Sequence, residues 1–213
     1  MEPISANLKV TRTARYFMLG DNTLPIDTLI FVLHGYGMQA KTFLCEFEAL
    51  VKPGVLIVAP EGLSRFYRKG FAGDVVSSWM TKEDRLFEIE DYVNYLDDLH
   101  RKINPSGKAR IIVLGFSQGT SAASRWLSKG TANISELILW CGEFAKDAEL
   151  TSSKPPVIRH VIALQDEFIP VERFAEESAW LGSKFKELQE YKFDGPHAID
   201  KPTLLTVFKD VGI

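Results

Sequence analysis

Residues 110–127, which read RIIVLGFSQGTSAASRWL, decide the fold. The run at 110–114 is rich in β-branched side chains and too short for a helix, which predicts a strand buried on both faces. The amphipathic residues that follow predict a helix. Between the two stand Gly115, Ser117 and Gly119 in the pattern G-x-S-x-G, where a strand turns sharply into a helix.

This turn makes Ser117 a candidate nucleophile. A strained backbone presents the serine hydroxyl above the sheet, and the glycines are needed because side chains there would collide with the neighbouring strand and helix. The amide of Gln118 at the helix N-terminus would then stabilise an oxyanion. The G-x-S-x-G pattern alone is a weak signal, because it also occurs in turns of small residues that have no catalytic role. Their position between a predicted strand and a predicted helix is what supports Ser117 as a nucleophile.

Short apolar runs alternate with amphipathic stretches along the whole chain. Strands are predicted at 28–33, 55–59, 110–114, 136–140 and 157–164, with a weaker outer strand at 187–193 and an antiparallel edge strand at 8–17. Helices are predicted at 39–51, 83–103, 118–129, 171–186 and 200–210. This alternation indicates one α/β domain over residues 1–213, with a mostly parallel central sheet and helices on both faces. Ligands bind such sheets beyond the carboxyl ends of the strands.

Composition and charge limit the classes of function. Of 213 residues 46% are hydrophobic, and 25 Lys+Arg stand against 28 Asp+Glu, so we expect a globular protein with no basic field for a nucleic-acid partner. No apolar run reaches the roughly 18 residues of a membrane span, and no signal-peptide pattern opens the chain. Cys45 and Cys141 are expected to be free, buried thiols. We therefore expect a cytoplasmic protein without stable membrane insertion, and nothing in the sequence supports a homo-oligomer.

A serine nucleophile needs a base, and four histidines compete for that role. His34 precedes the serine at a strand end, inside a glycine-rich loop. His100 falls at the basic end of a helix on a turn expected to face solvent, and His160 falls within an apolar strand as a core residue. His197 remains, in a loop between the last strand and the last helix, and we take it as the base.

The base needs an acid that orients it. Asp166 directly follows the fifth apolar strand, which places it at the carboxyl edge of the sheet. Glu167 and Asp194 are competing acids, and an Asx turn or a helix cap is the structural alternative for Asp166. The order Ser117, Asp166, His197 is the chain order of the triads of α/β-hydrolases.

The loop after strand 28–33 is the candidate second half of an oxyanion hole. It contains two glycines around Tyr36 and can fold close to the serine, so we assign the backbone amides of Tyr36 and Gln118 as oxyanion donors. The side chain of His34 is expected to orient this loop. A plain glycine-rich connection is the alternative.

Residues 62–81 show no strand or helix pattern and are predicted to be a long loop at the active-site edge. Its large apolar side chains are expected to line an acyl pocket; they are Phe66, Tyr67, Phe71, Trp79 and Met80. Its cations either meet an anionic head group or solvate the loop; they are Arg65, Arg68 and Lys69.

These motifs resemble those of the small α/β-hydrolases of the phospholipase/carboxylesterase group, which includes the acyl-protein thioesterases. The matching segments are LHGYG at 33–37, APEG at 59–62, SSW at 77–79, GFSQG at 115–119, the segment of Asp166, and GPH at 195–197. The resemblance implies the α/β-hydrolase fold, the triad Ser117, Asp166 and His197, and the amide donors Tyr36 and Gln118. A length of 213 residues leaves no room for a large lid domain. Two positions depart from the group: Met38 stands where an aspartate is usual, and Pro196 precedes the histidine in place of glycine.

The sequence therefore predicts a serine carboxylesterase without a cofactor, acting on small-molecule carboxylic esters, thioesters or lysophospholipids through an acyl-enzyme. A peptidase or amidase using the same triad is one alternative. A catalytically silent binding protein of hydrolase fold is the other. No metal is expected to take part, because neither the histidines nor the cysteines show ligand spacing.

Overall fold

Seven strands form the central sheet of the computed structural model, which describes residues 3–149 and 155–213. The strands of these residues are β1 (Tyr16–Leu19), β2 (Thr28–Leu33), β3 (Val55–Pro60), β4 (Ser64–Lys69), β5 (Ala72–Ser78), β6 (Arg110–Phe116), β7 (Ile134–Trp140), β8 (Val157–Ala163) and β9 (Leu188–Phe193). The sheet order is β1-β3-β2-β6-β7-β8-β9, and β4 pairs with β5 in a separate hairpin. Only β1 runs antiparallel to its neighbour in the main sheet. The carboxyl ends of the parallel strands therefore meet at one edge.

Helices cover both faces of this sheet. They are α1 (Ala40–Leu44), continued by a 3-10 helix (Cys45–Leu50), α2 (Arg85–Ile103), α3 (Gln118–Lys129), α4 (Val171–Lys184) and α5 (Lys201–Val211). Alternate residues of β2 enter two separate cores, with Phe31 facing α2 and α3 and Val32 facing α1 and α5. Burial on both faces explains why the parallel strands are almost continuously apolar. No helix of the described residues is long and apolar enough to cross a bilayer.

The antiparallel edge strand is shorter than the sequence predicts. The alternating pattern covers residues 8–17, whereas β1 begins at Tyr16, whose partner is Pro60 at the end of β3. Residues before Tyr16 extend beyond the end of β3, and the side chains of Leu8 and Val10 are exposed. The carbonyl of Arg15 still accepts Glu61 N–H at 3.0 Å, and alternation of side chains alone does not make a strand of the residues before it.

Three further expectations need correction. Residues 62–81 are not an irregular loop, because most of them form the β4–β5 hairpin, which turns through Gly70 at φ 65°. The helix expected at 39–51 is α1 with a 3-10 continuation. Cys45, at the junction of the two, is exposed, whereas Cys141 is buried as expected.

The buried His160 gives the fold a specific pH dependence. Its ring is fully buried in β8, its Nδ1 lies 2.9 Å from Ser178 Oγ, and burial lowers its pKa from 6.5 to about 4 against the opposing charge of Glu190. The unfolded chain binds this proton more tightly, so stability falls as the pH falls from 6.5 to 4. The expected loss is about 3 kcal/mol.

Urea unfolding of wild type and His160→Gln, each at pH 7 and about pH 4.5, measures this pH-dependent loss of stability. The difference between the two pH values should be smaller in the variant, because glutamine does not titrate. Comparing differences removes any pH-independent cost of the substitution. An unchanged difference would show that His160 does not control the acid response.

Candidate active site

Ser117 stands at the turn between β6 and α3 in a strained backbone conformation. Its φ and ψ are 54° and −121°, a region that residues with side chains rarely occupy, and such strain costs about 1–3 kcal/mol. Its N–H donates to the carbonyl of Trp140 at 3.0 Å, which ties the turn to the end of β7. The strand–turn–helix context expected for Ser117 is present.

The two glycines of the motif are required by close backbone approaches. A Cβ on Gly119 would overlap the carbonyl oxygen of Leu33 and lie 2.8 Å from that of His34, at the end of β2. A Cβ on Gly115 would lie 2.6 Å from the Cα of Thr120 in α3. In both cases the obstacle is backbone, which cannot rotate away as a side chain can.

Gly119→Ala is therefore expected to destabilise the protein by about 3 kcal/mol or more, because α3 must move off β2. Gly182→Ala is the matched control: Gly182 lies within α4, with Leu188 Cδ2 at 3.8 Å as its nearest obstacle. Alanine there should be neutral or stabilise by up to about 1 kcal/mol. Chemical unfolding of both variants makes the comparison, and equal stabilities would refute the close approach at Gly119.

The loops after β8 and β9 bring Asp166 and His197 together. His197 Nδ1 lies 2.6 Å from Asp166 Oδ2, and the Asp166 side chain has no solvent exposure. The other carboxylate oxygen, Oδ1, accepts the N–H groups of Phe168 and Ile169, each at 2.9 Å. All these donors converge on one buried carboxylate, which fixes its orientation toward the imidazole.

The imidazole of His197 packs against two aromatic rings. The rings of Phe116 and Phe168 each lie 4.9 Å from it, measured between centroids, and Phe116 immediately precedes Ser117. Within residues 3–149 and 155–213, neither Ser117 Oγ nor His197 Nε2 forms a hydrogen bond with protein. The Ser117–His197 hydrogen bond of the expected triad is therefore not formed in this structure, and such bonds often form only when substrate binds.

The two competing acids hold the histidine loop instead of the imidazole. Glu167 accepts the backbone N–H of His197 at 3.1 Å. Asp194 accepts Nε2–H of Gln165 at 2.7 Å, and the backbone of Gln165 also donates to Gly195 at 3.0 Å. Of the three acids, Asp166 is the one bonded to the imidazole.

The glycine-rich loop after β2 lies directly against the serine. A Cβ on Gly35 would lie 3.2 Å from Ser117 Cβ. Across the described residues, the backbone N–H groups of Tyr36 and Gln118 have no protein acceptor, so both are available to an oxyanion. The carbonyl oxygen of Met38 accepts the N–H of Ser77 of β5 at 3.0 Å.

His34 orients this loop through hydrogen bonds, as the sequence suggested. Its Nδ1 lies 2.7 Å from the Gly35 carbonyl, so it carries the proton, and Nε2 accepts Gly62 N–H and Ser77 Oγ–H, each at 3.0 Å. The Trp79 indole donates to the His34 carbonyl at 2.8 Å. Burial lowers the pKa of His34, which keeps the ring neutral and this pattern intact.

Comparison with known proteins gives structural matches alone: no family model and no curated protein matches this sequence. Acyl-protein thioesterase 2 of Zea mays superposes with a TM-score of 0.74 at 15% identity, over 94% of this chain and 98% of that one. Esterase PE8 gives 0.75 at 20%, over 94% and 99%. A carboxylesterase of Bacillus cereus gives 0.67 at 15%, over 94% and 95%. The chain has the α/β-hydrolase fold. The predicted fold class is thereby confirmed, including the absence of a large lid domain among the described residues.

One stabilising contact in this α/β-hydrolase fold escaped the sequence analysis. The side chain of Gln118 accepts Trp79 N–H at 3.1 Å and donates to the Met80 carbonyl at 3.0 Å. Gln118 also carries a candidate oxyanion amide, and these two side-chain hydrogen bonds restrain the position of that amide. The contact joins residues 39 and 38 positions apart, and no short motif could have revealed it.

The five side chains expected to line an acyl pocket do not share one surface. Trp79 is buried in the core, and Phe71 is fully exposed at the hairpin tip, so the expectation is corrected for both. Phe66 packs against Tyr36 with 5.5 Å between ring centroids, beside the candidate oxyanion loop. Tyr67 is about half exposed, and Met80 lies beside the guanidinium of an α3 arginine, Arg125. The hairpin separates Phe66 from Tyr67 because alternate side chains of a strand point to opposite faces, whereas Trp79 and Met80 follow β5.

Proposed function

We propose that this protein is a serine hydrolase that cleaves carboxylic esters through an acyl-enzyme, as a member of the phospholipase/carboxylesterase group. The observation that carries the proposal is the buried Asp166–His197 pair at 2.6 Å, whose imidazole packs at 4.9 Å against Phe116, the residue before a serine held in a strained turn. The names of the similar structures, a thioesterase and two esterases, support the same reaction class.

The first half-reaction forms the acyl-enzyme. Ser117 Oγ attacks the carbonyl carbon of the ester while His197 Nε2 takes the hydroxyl proton. The negative charge that develops on the carbonyl oxygen is met by the N–H groups of Tyr36 and Gln118, with the N-terminal dipole of α3 behind the second. Asp166 keeps the Nδ1 proton in place and stabilises the imidazolium. Collapse of the tetrahedral intermediate breaks the ester C–O bond, and His197 gives its proton to the leaving oxygen.

The second half-reaction restores the enzyme. Water attacks the acyl carbon, His197 Nε2 accepts a proton from that water, and the same amides hold the second oxyanion. Release of the carboxylic acid returns the proton to Ser117. Each step uses groups of this chain alone, so the proposal needs no cofactor.

The surroundings of Ser117 favour a broad range of esters. In the described residues the cover over this edge is the β4–β5 hairpin, and the side chain of Tyr36 beside the serine is 63% exposed. An open site of this kind imposes little selection on the acyl group, and thioesters or lysophospholipids would enter it equally. We also propose a cytoplasmic location, where the free thiols of Cys45 and Cys141 stay reduced.

A panel of p-nitrophenyl esters of increasing acyl length, combined with a fluorophosphonate probe, tests the proposal. Wild type should hydrolyse the esters and gain one covalent label, which peptide mass mapping should place on Ser117. Ser117→Ala should do neither. A matched amide panel separates an esterase from a peptidase. Wild type without turnover and without label would leave the silent binding protein as the remaining interpretation.

A further inference from the structure

A thiol, an imidazole and a carboxylate meet at the proposed active site. Ligand atoms of Cys141, Asp166 and His197 all lie within 4.8 Å of one another. Cys141 follows β7 directly, in a left-handed conformation with φ 47°, and its N–H donates to Val161 of β8 at 3.0 Å. This geometry holds the residue against the adjacent strand end. The proposed mechanism uses Asp166 and His197 and gives Cys141 no role.

We propose that these three residues form an inhibitory site for a thiophilic divalent metal ion, of which Zn²⁺ is the type. The effect on activity rests on the proposed function, whereas the binding of the ion does not. The ion would be bound by Cys141 Sγ, a carboxylate oxygen of Asp166 and His197 Nδ1, with water in the fourth position.

The ligand set selects the class of ion. Zn²⁺ binds thiolate sulfur at about 2.3 Å and imidazole nitrogen at about 2.0 Å, which puts ligand atoms of a tetrahedral site roughly 3.3–3.7 Å apart. The 2.6 Å pair of Asp166 and His197 must open by about 0.7–1.1 Å, and the sulfur, which lies within 4.8 Å of the other ligand atoms, must approach by up to about 1.5 Å. Mg²⁺ and Ca²⁺ prefer oxygen ligands and gain nothing from a thiolate.

The three ligands are far apart in the sequence, so the sequence alone does not indicate this site. The three ligands follow three different strands, β7, β8 and β9, that are neighbours in the sheet. Zinc sites are read from short Cys and His spacings, which this chain lacks. The expectation that no metal takes part concerned catalysis, and an inhibitory ion is compatible with it.

Ion binding would inhibit through the protons of His197. Burial raises the pKa of the Cys141 thiol, so the thiol loses its proton to solvent only as the ion binds the sulfur. Ligation through Nδ1 requires the neutral imidazole to carry its proton on Nε2 instead. Nε2 then has no lone pair for the proton of Ser117, so the base is lost while the candidate oxyanion amides stay free.

Binding is tested in Ser117→Ala, which retains all three ligands and cannot turn over substrate. Titration with Co²⁺ should produce a thiolate-to-cobalt charge-transfer absorption that Zn²⁺ removes by competition. Cys141→Ser should abolish this absorption and weaken Zn²⁺ binding, measured by calorimetry, by about 100-fold or more. Cys45→Ser is the matched control: it removes the exposed thiol and should change neither signal.

Activity is then measured with and without metal in wild type, Cys141→Ser and Cys45→Ser, each relative to its own metal-free rate. Zn²⁺ should inhibit wild type and Cys45→Ser at concentrations that leave Cys141→Ser active, and Mg²⁺ should inhibit none of them. Thermal unfolding confirms that Cys141→Ser is folded. Equal Zn²⁺ binding with and without the Cys141 thiol, or loss of binding in Cys45→Ser, would overturn the site. Cys141-dependent binding in a protein without esterase activity would instead retain the site and reject the proposed function.

Discussion

Replacing His197 by alanine is expected to lower kcat for ester hydrolysis by about 10⁶-fold, and Ser117→Ala should lower it by a similar factor. Without the imidazole the serine hydroxyl keeps its proton, and without the hydroxyl the imidazole has nothing to deprotonate. The double variant should therefore be no slower than either single variant. What remains above the uncatalysed rate would come from substrate binding and from the two oxyanion amides.

His100→Gln is the control for loss of a histidine. His100 lies near the end of α2 and packs against Phe31 with 6.4 Å between ring centroids, and burial lowers its pKa. Its replacement should cost some stability and leave kcat nearly unchanged. The kinetics are measured with one chromogenic ester at saturating concentration, after thermal unfolding has shown each variant to be folded. Single variants whose effects multiply in the double variant would contradict a shared Ser117–His197 step.

The central strands are predictable from sequence because a strand that is buried on both faces is a short, continuous apolar run, which can be recognised without knowing its neighbours. Every residue of β2 and β3 is buried, and short β-branched runs of this kind are typical of strands at the centre of a parallel sheet. The β4–β5 hairpin gives no such signal, because most of its side chains are exposed and its pairing depends on backbone hydrogen bonds. Residues 8–15 show the opposite case, an alternating pattern with no strand beside it.

The candidate site is predictable to the extent that it follows strand ends. Ser117, Asp166 and His197 each lie in a turn or loop after a parallel strand, so the sheet alone brings them to one edge. The contacts of Gln118 with residues 79 and 80, and of Cys141 with Asp166, join distant parts of the chain. Such contacts depend on strand order and side-chain direction, which a single sequence does not encode in any motif.

Asp166→Asn should reduce kcat by about 10⁴-fold while leaving the backbone of the site in place. Asp166 Oδ1 accepts two backbone N–H groups, from Phe168 and Ile169, and Oδ2 faces His197. In asparagine only the carbonyl oxygen can satisfy those two donors, so the NH₂ group must take the position of Oδ2. That NH₂ group donates to Nδ1, which forces the imidazole proton onto Nε2, the atom that must accept the proton of Ser117.

Asp166→Asn is thus predicted to lose activity through a change of the His197 tautomer in a folded enzyme. Nitrogen NMR and activity measurements together test this. Nitrogen NMR of the imidazole should show the proton on Nδ1 of His197 in wild type and on Nε2 in Asp166→Asn. Asp194→Asn is the matched control, because Asp194 is the neighbouring acid that accepts from the Gln165 side chain, and it should keep most of its activity and the wild-type tautomer. If Asp166→Asn kept the proton on Nδ1 and still lost activity, orientation by Asp166 would not explain the loss. The carboxylate would then act mainly through its charge on the imidazolium.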